Sequence, residues 1–244
     1  MISLLIKEIN QFFSSMVAYL IIGVFLLLCG LFLFVIPSTS LLDYNILDNG
    51  YATATKFFAL APWLLLLLIP AITMRLIADE YRQGTMELIL TRPLRYGYII
   101  WAKYLAALVV VLIALAPSCI YIIAIKAMAT QGIDGGGTIG AYIGLMLLAA
   151  TFTAVGICCS SFTSNAVVAY MSSLLVCLLL YTLCNGISRI AAFKGEVDYY
   201  IAYIGLDYHY RSICRGVLDT RNLLYFITCI ALCITITYRN LLKR

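Results

Sequence analysis

Charge is what this chain has least of. Asp, Glu, Lys and Arg make up 11% of its 244 residues and 64% are hydrophobic, whereas a soluble domain carries roughly 25% charged residues. A water-soluble core of this size has no room for so much apolar surface, but a bilayer solvates it at roughly 20 apolar residues per helical crossing. Histidine occurs once, and with no Cys/His spacing of the metal-binding kind there is no credible zinc site. The nine cysteines are odd in number and sit almost all inside apolar runs, so they read as small packing residues, the adjacent Cys158 and Cys159 included. No G-x-x-x-x-G-K-[ST] occurs, so the chain lacks the usual phosphate loop for hydrolysing ATP; the Gly-rich turn ending at Gly137 has no Lys-Ser/Thr after it. The net charge of +5 is spread along connecting segments without interleaved aromatics, which argues against nucleic acid as a partner.

What is present is an all-α membrane protein of one domain, residues 1–244. Ile2, Leu5, Ile6, Ile9, Phe12, Phe13 and Met16 recur at helical spacing, with Lys7, Glu8, Asn10, Gln11 and Ser14 on the other side. This predicts an amphipathic helix over 1–16, lying in the membrane interface. Six transmembrane helices are expected at 17–36, 57–78, 98–125, 138–159, 166–187 and 222–238, with kinks near Pro62, Pro70 and Pro117. Six crossings put both termini on one side. The excess of Lys and Arg beside the short connectors on that side places the termini in the cytoplasm. The mixed-sign, Tyr-rich segment 189–221 then faces outward, either as an interfacial hairpin with an aromatic belt or as a lid that contacts a ligand.

Away from their ends, the six runs contain no Asp, Glu, Lys, Arg or His. Proton-coupled carriers and ion channels usually keep such groups in the bundle, and an intramembrane protease needs paired Asp, a Ser/His arrangement or a metal motif. A sodium-coupled carrier is not removed by this, since broken-helix carbonyls and hydroxyls can bind the ion. The polar atoms inside the runs belong to Tyr121, Thr151, Thr153, Ser172, Ser173, Tyr181, Thr182 and Asn185. Thr151, Thr153, Ser172, Ser173, Tyr181 and Thr182 are candidates for a translocation path. Helix-to-helix hydrogen bonding is the plainer account of them, at about 0.6 kcal/mol per bond.

Six charged residues, Asp79, Glu80, Arg82, Glu87, Arg92 and Arg95, fall in a cytoplasmic connector over 79–97, which opens with "DEYRQGTMELILTRP". Gly84 offers the left-handed position that ends a helix, Thr85 a cap for the next, and Glu87 a carboxylate in that helix's first turn; Pro93 biases Arg92 out of helical geometry. A two-turn helix over 86–91 results. Met86 and Leu88 make it apolar and Glu80, Arg82, Glu87 and Arg92 surround it, a combination suited to a cleft on a soluble partner.

The run E-x-x-x-G-T-x-E-x-L from Glu80, followed by Pro93 and by Lys103 opening the next span, resembles the intracellular connector of ABC-2 type permeases, the membrane half of ATP-driven transporters. The likeness spans nearly the whole chain, from the leader "KEINQFFSS" through six spans. Three segments, "FFSSMVAYLIIGVFLLLCGLFLF", "GYATATKFFALAPWLLLLLIPAITMRLIADEYRQGTMELILTRPL" and "DYHYRSICRGVLDTRNLLYF", resemble the gliding-motility-associated branch of that family in Bacteroidota.

The resemblance implies a non-enzymatic permease subunit in the bacterial inner membrane. Its coupling helix, with Glu80, Arg82, Gly84, Thr85, Met86, Glu87, Leu88 and Pro93, would meet a separate ATPase subunit that holds ATP and Mg. A second permease chain, identical or related, membrane lipids and a periplasmic or motility-associated protein are the further partners it implies. A membrane scaffold that transports nothing is the alternative of a different class, and it would not need a rigid, capped connector.

Overall fold

The computed structural model of the chain describes residues 2–14, 16–38, 43–46, 54–84, 96–129, 134–188, 203–216 and 219–243. In order, α1 (Ile2–Ser14) and α2 (Met16–Gly30) lead into a π-helical turn at Leu31–Val35; α3 (Thr55–Thr73) and α4 (Arg75–Gln83) follow almost end to end. Next come α5 (Tyr96–Leu115), a 3₁₀ turn (Ala116–Ser118) and α6 (Cys119–Met128), then α7 (Gly135–Phe162). The bundle closes with α8 (Ala166–Leu178), a second π-helical turn (Leu179–Leu183), α9 (Cys184–Ser188), α10 (Leu206–Cys214) and α11 (Thr220–Lys243). No strand occurs among the described residues.

Among the described residues, six helical stretches are long and apolar enough to cross a membrane: Ala18–Val35, Thr55–Gln83, Tyr96–Met128, Gly135–Phe162, Ala166–Ser188 and Thr220–Lys243. The chain is therefore an all-α, multi-pass membrane protein. The second and fourth stretches form its centre. Within their most apolar windows 72% and 78% of residues are buried, against 17% to 33% for the other four.

Small residues let these two helices approach. Gly156 on α7 faces Thr73 at the end of α3, where an added Cβ would meet Thr73 Oγ1 at 2.1 Å. Gly140 and Gly144, a helical turn apart, receive the Ile213 carbonyl and side chain of α10 at 3.2 and 3.1 Å from such a Cβ. Where lipid is as apolar as leucine, this close backbone approach is what gives helices a reason to associate. Asn165 and Asp134 cap their helices through side-chain oxygens that accept from Val167 N and Gly136 N, as their residue types favour. The single histidine, His209, is buried between Asn222 Oδ1 (2.7 Å) and the Tyr203 carbonyl (2.8 Å) and stacks on Tyr225, which fastens α10 to α11.

Both termini lie at one end of the bundle. Glu8 of α1 reaches the start of α5 there, Leu241 packs beside Ile100, and Asn240 Nδ2 donates to the Ser161 carbonyl (2.6 Å). That end is called terminal below, and the opposite one distal. The prolines act unevenly. Pro117 coincides with the 3₁₀ turn, whereas α3 runs through Pro62 and Pro70 and breaks only at Met74. On α1, Glu8 departs from the expected polar side: it is turned inward and only 4% exposed, while Lys7 is exposed.

Gly156→Ala is expected to cost about 1–3 kcal/mol by overpacking the α3–α7 crossing. Thr73→Ala, which removes the nearest atom, should recover part of that loss in the double variant. Thermal unfolding of the detergent-solubilised protein measures both.

Candidate functional site

The terminal end of the second span is built around a break and its repair. At Met74 the chain turns from α3 into α4, which frees backbone groups that lipid cannot satisfy. Ser160 of α7 supplies a hydroxyl at that point. Its Oγ accepts from Ile77 N (3.3 Å) and Ala78 N (3.1 Å) and donates to the Met74 carbonyl (3.0 Å). Thr73 Oγ1 donates to the Ile69 carbonyl at 3.0 Å. A hydroxyl set into the ladder in this way is a recognised cause of helix bending.

Lys103, two turns into α5 and 2% exposed, completes the arrangement. Its Nζ donates to Glu80 Oε1 (2.7 Å), to Glu8 Oε1 (3.2 Å) and to the Leu76 carbonyl (2.8 Å). An ammonium has three hydrogens to give, and here each meets an oxygen. One cation thereby joins α1, α4 and α5. The two carboxylates outnumber it, so its removal would leave two acidic side chains together in a largely buried site. Beyond Glu80 the helix ends at Gln83 with Arg82 exposed, and Gly84 takes φ 68°, a left-handed value its missing Cβ permits. Thr85, Met86, Glu87, Leu88 and Pro93 lie outside the described residues.

One face of the second span is left uncovered. Thr55, Ala59, Trp63 and Leu67 are exposed, Ala71 is half-buried and Arg75 is exposed again. These positions step by four residues, so they form a single stripe along an otherwise buried helix. The stripe joins two cavities. At the terminal end a cavity of about 190 Å³ is lined by Ala71, Arg75 and Asp79 together with Glu8 and Lys103. At the distal end a larger one, about 570 Å³, is lined by Ala59, Trp63, Tyr181, Thr182, Asp207 and Arg211, among others.

The distal cavity depends on α10 and on the second π-helical turn. That turn carries Tyr181 and Thr182, and π-turns inside helices recur at functional sites. Asp207, 4% exposed, accepts from Arg211 Nε (2.9 Å) and from Asn185 Nδ2. The hydrogen bond to Asp207 raises the Arg211 guanidinium above its already high range, so it stays charged at any working pH. Tyr210 Oη donates to the Phe58 carbonyl (2.7 Å), tying α10 to α3, and burial holds its phenol well above the ordinary value. Burial pushes the Cys214 thiol up to about 11, which leaves it protonated and a poor nucleophile at neutral pH.

Of the hydroxyls picked out as path candidates, Tyr181 and Thr182 line this distal cavity. Thr151, Thr153 and Ser173 are buried, and their hydroxyls donate to Leu148, Ala149 and Tyr170 carbonyls of their own helices. Ser172 is half-buried and donates to the Ala169 carbonyl. Sequence reasoning missed Glu8, Lys103 and Ser160 as parts of one site. The available signal was a lysine inside an apolar run, since such a group needs a carboxylate near it.

Lys103→Met is expected to destabilise the protein by about 3–5 kcal/mol, because Glu8 and Glu80 then face each other across the gap. Glu8→Gln keeps the Lys103–Glu80 pair and should cost about 1 kcal/mol. Thermal unfolding in detergent tests the ordering; a Glu8→Gln loss as large as that of Lys103→Met would contradict it.

A search of the curated proteins returns no match. A family model described as ABC-2 family transporter protein matches residues 39–213, from the connector after the first span through the break at Met74 to α10. That match covers well over half of the 244 residues, and it fits a chain with six apolar crossings among its described residues: the protein belongs to the ABC-2 transporter family and is a permease component of an ABC transporter.

Proposed function

We propose that this chain is the membrane-spanning subunit of an ATP-driven transporter in a bacterial inner membrane, with cytoplasmic termini, and that it works through a separate ATPase docked at the segment after Gly84. Family membership implies an ABC ATPase partner and a paired permease. The ATP and Mg belong to that ATPase. The observation that carries the coupling reading is the Lys103 triad together with the Ser160 hydroxyl. Both fix α4 to its neighbours, so the last turn before Gly84 has a rigid base and a push on the connector is delivered to the second span.

Under this reading Glu80 has an internal role, as the residue that locks α4 to Lys103. Arg82, Gly84, Thr85, Met86, Glu87, Leu88 and Pro93 belong to the docking segment. Differential binding by the ATPase before and after nucleotide closure supplies the drive, since equal affinity for both membrane states would move nothing. The uncovered stripe from Arg75 to Thr55 is the face along which cargo passes, with Tyr181 and Thr182 at its distal mouth. Two chains, identical or related, would bring two such stripes together. The three long segments that resemble the gliding-motility branch support a GldF-type subunit, with a motility-associated or periplasmic protein as a further partner.

Replacing Met86 and Leu88 with Ser and Glu87 with Lys is expected to weaken ATPase association by several kcal/mol while insertion is unchanged. Ser160→Ala should leave association intact and lower ATP turnover coupled to the permease. Co-purification and turnover, measured on reconstituted complexes in nanodiscs, separate the two effects. Wild-type association and turnover in the triple variant would overturn the docking assignment and favour a scaffold.

A further inference from the structure

We infer that the distal cavity is a binding site for an acidic amphiphile, with a phosphate-type headgroup on Arg211 and Arg215 and an apolar part lying along Trp63 and Leu67. Charge is the first argument. Three charged residues line the cavity, Asp207, Arg211 and Arg215. Asp207 is buried and already accepts from Arg211 and Asn185, so its charge is matched. Arg215 is exposed and makes no ion pair among the described residues. The cavity is thus left with one net positive charge on its rim. Arg211 commits only its Nε to Asp207, so its terminal N–H groups remain to be donated from a side chain whose direction is already fixed.

The wall supplies the second argument. Trp63 is 42% exposed in a helix otherwise buried at the bundle centre, and it meets Tyr181 edge-on at 5.6 Å. Leu67, one turn further along α3, is 49% exposed. A cationic rim above an aromatic step and an exposed aliphatic stripe matches a molecule with an acidic head and an apolar body. A small free anion would make no use of Trp63 or Leu67. The inference goes beyond the transport reading, and its test needs neither ATPase nor nucleotide, so a failure here and a failure of coupling are separate results.

Two tryptophans occur in the chain, so Trp101→Phe makes Trp63 the sole reporter. The full chain carrying that change, in detergent micelles, is titrated with bromine-labelled phosphatidylglycerol or bromine-labelled phosphatidylcholine while Trp63 fluorescence is followed. Half-quenching is expected at an about fivefold lower mole fraction of the acidic lipid, as a surface-exposed ion pair allows. Arg215→Gln should cut that preference to about twofold with the phosphatidylcholine curve unchanged, and Arg215→Lys should restore most of it. Equal quenching by the two lipids overturns the inference. So does loss of the preference when millimolar inorganic phosphate is added, because the site would then read free phosphate without needing an amphiphile. An unchanged preference in Arg215→Gln would overturn the assignment of the headgroup to this rim.

Discussion

A backbone amide or carbonyl in hydrocarbon has no water to turn to, and the organisation of this bundle follows from how that requirement is met at one place. The second span is broken at Met74, one turn after Pro70, whose carbonyl still accepts from Met74 N (2.9 Å). The groups around the break find partners on other helices. Ser160 of the fourth span takes two amides and gives a hydrogen to the Met74 carbonyl, and Lys103 of the third span takes the Leu76 carbonyl. Satisfying the break therefore fastens three spans together. Through Glu8, the same lysine fastens the N-terminal helix α1 to them.

That repair also limits how the terminal end can move. Turning α4 relative to α5 separates Lys103 from Glu80, and sliding it along α7 withdraws the Ser160 hydroxyl. Both moves strip partners from buried polar groups, which is costly in a low-dielectric interior. The distal end has a comparable anchor of a different kind: Tyr210 ties α10 to α3, and Gly140 and Gly144 let α10 settle against α7. Between the two anchors the second span keeps one uncovered stripe, so a buried central helix still presents a continuous face to whatever lies beside it.

Much of this was legible from composition and spacing. Apolar runs longer than a bilayer is thick have few alternatives to crossing it, so a bundle of six membrane-spanning helices was legible in the sequence. The glycine at 84 marked a helix end because a left-handed backbone position penalises any Cβ. The residues of the triad were visible but not their meeting. Glu8 and Lys103 are 95 positions apart, and helical periodicity assigns Glu8 to a polar face because it cannot see which neighbour that face will meet. Ser160 likewise looks like any hydroxyl able to bond within its own helix, as Ser161 does with the Cys158 carbonyl.

The sequence by itself determined that the chain is a membrane-spanning helical bundle in which α4 stops at Gly84, because hydrophobic length and local backbone preference are properties of consecutive residues. Which helices occupy the centre, which face of the second span stays bare, and which single lysine pairs with carboxylates from two other elements were decided only by the tertiary structure. Those outcomes depend on glycine-permitted close approaches and on partners for buried polar groups. Both are distances between residues far apart in the chain, and no local pattern encodes them.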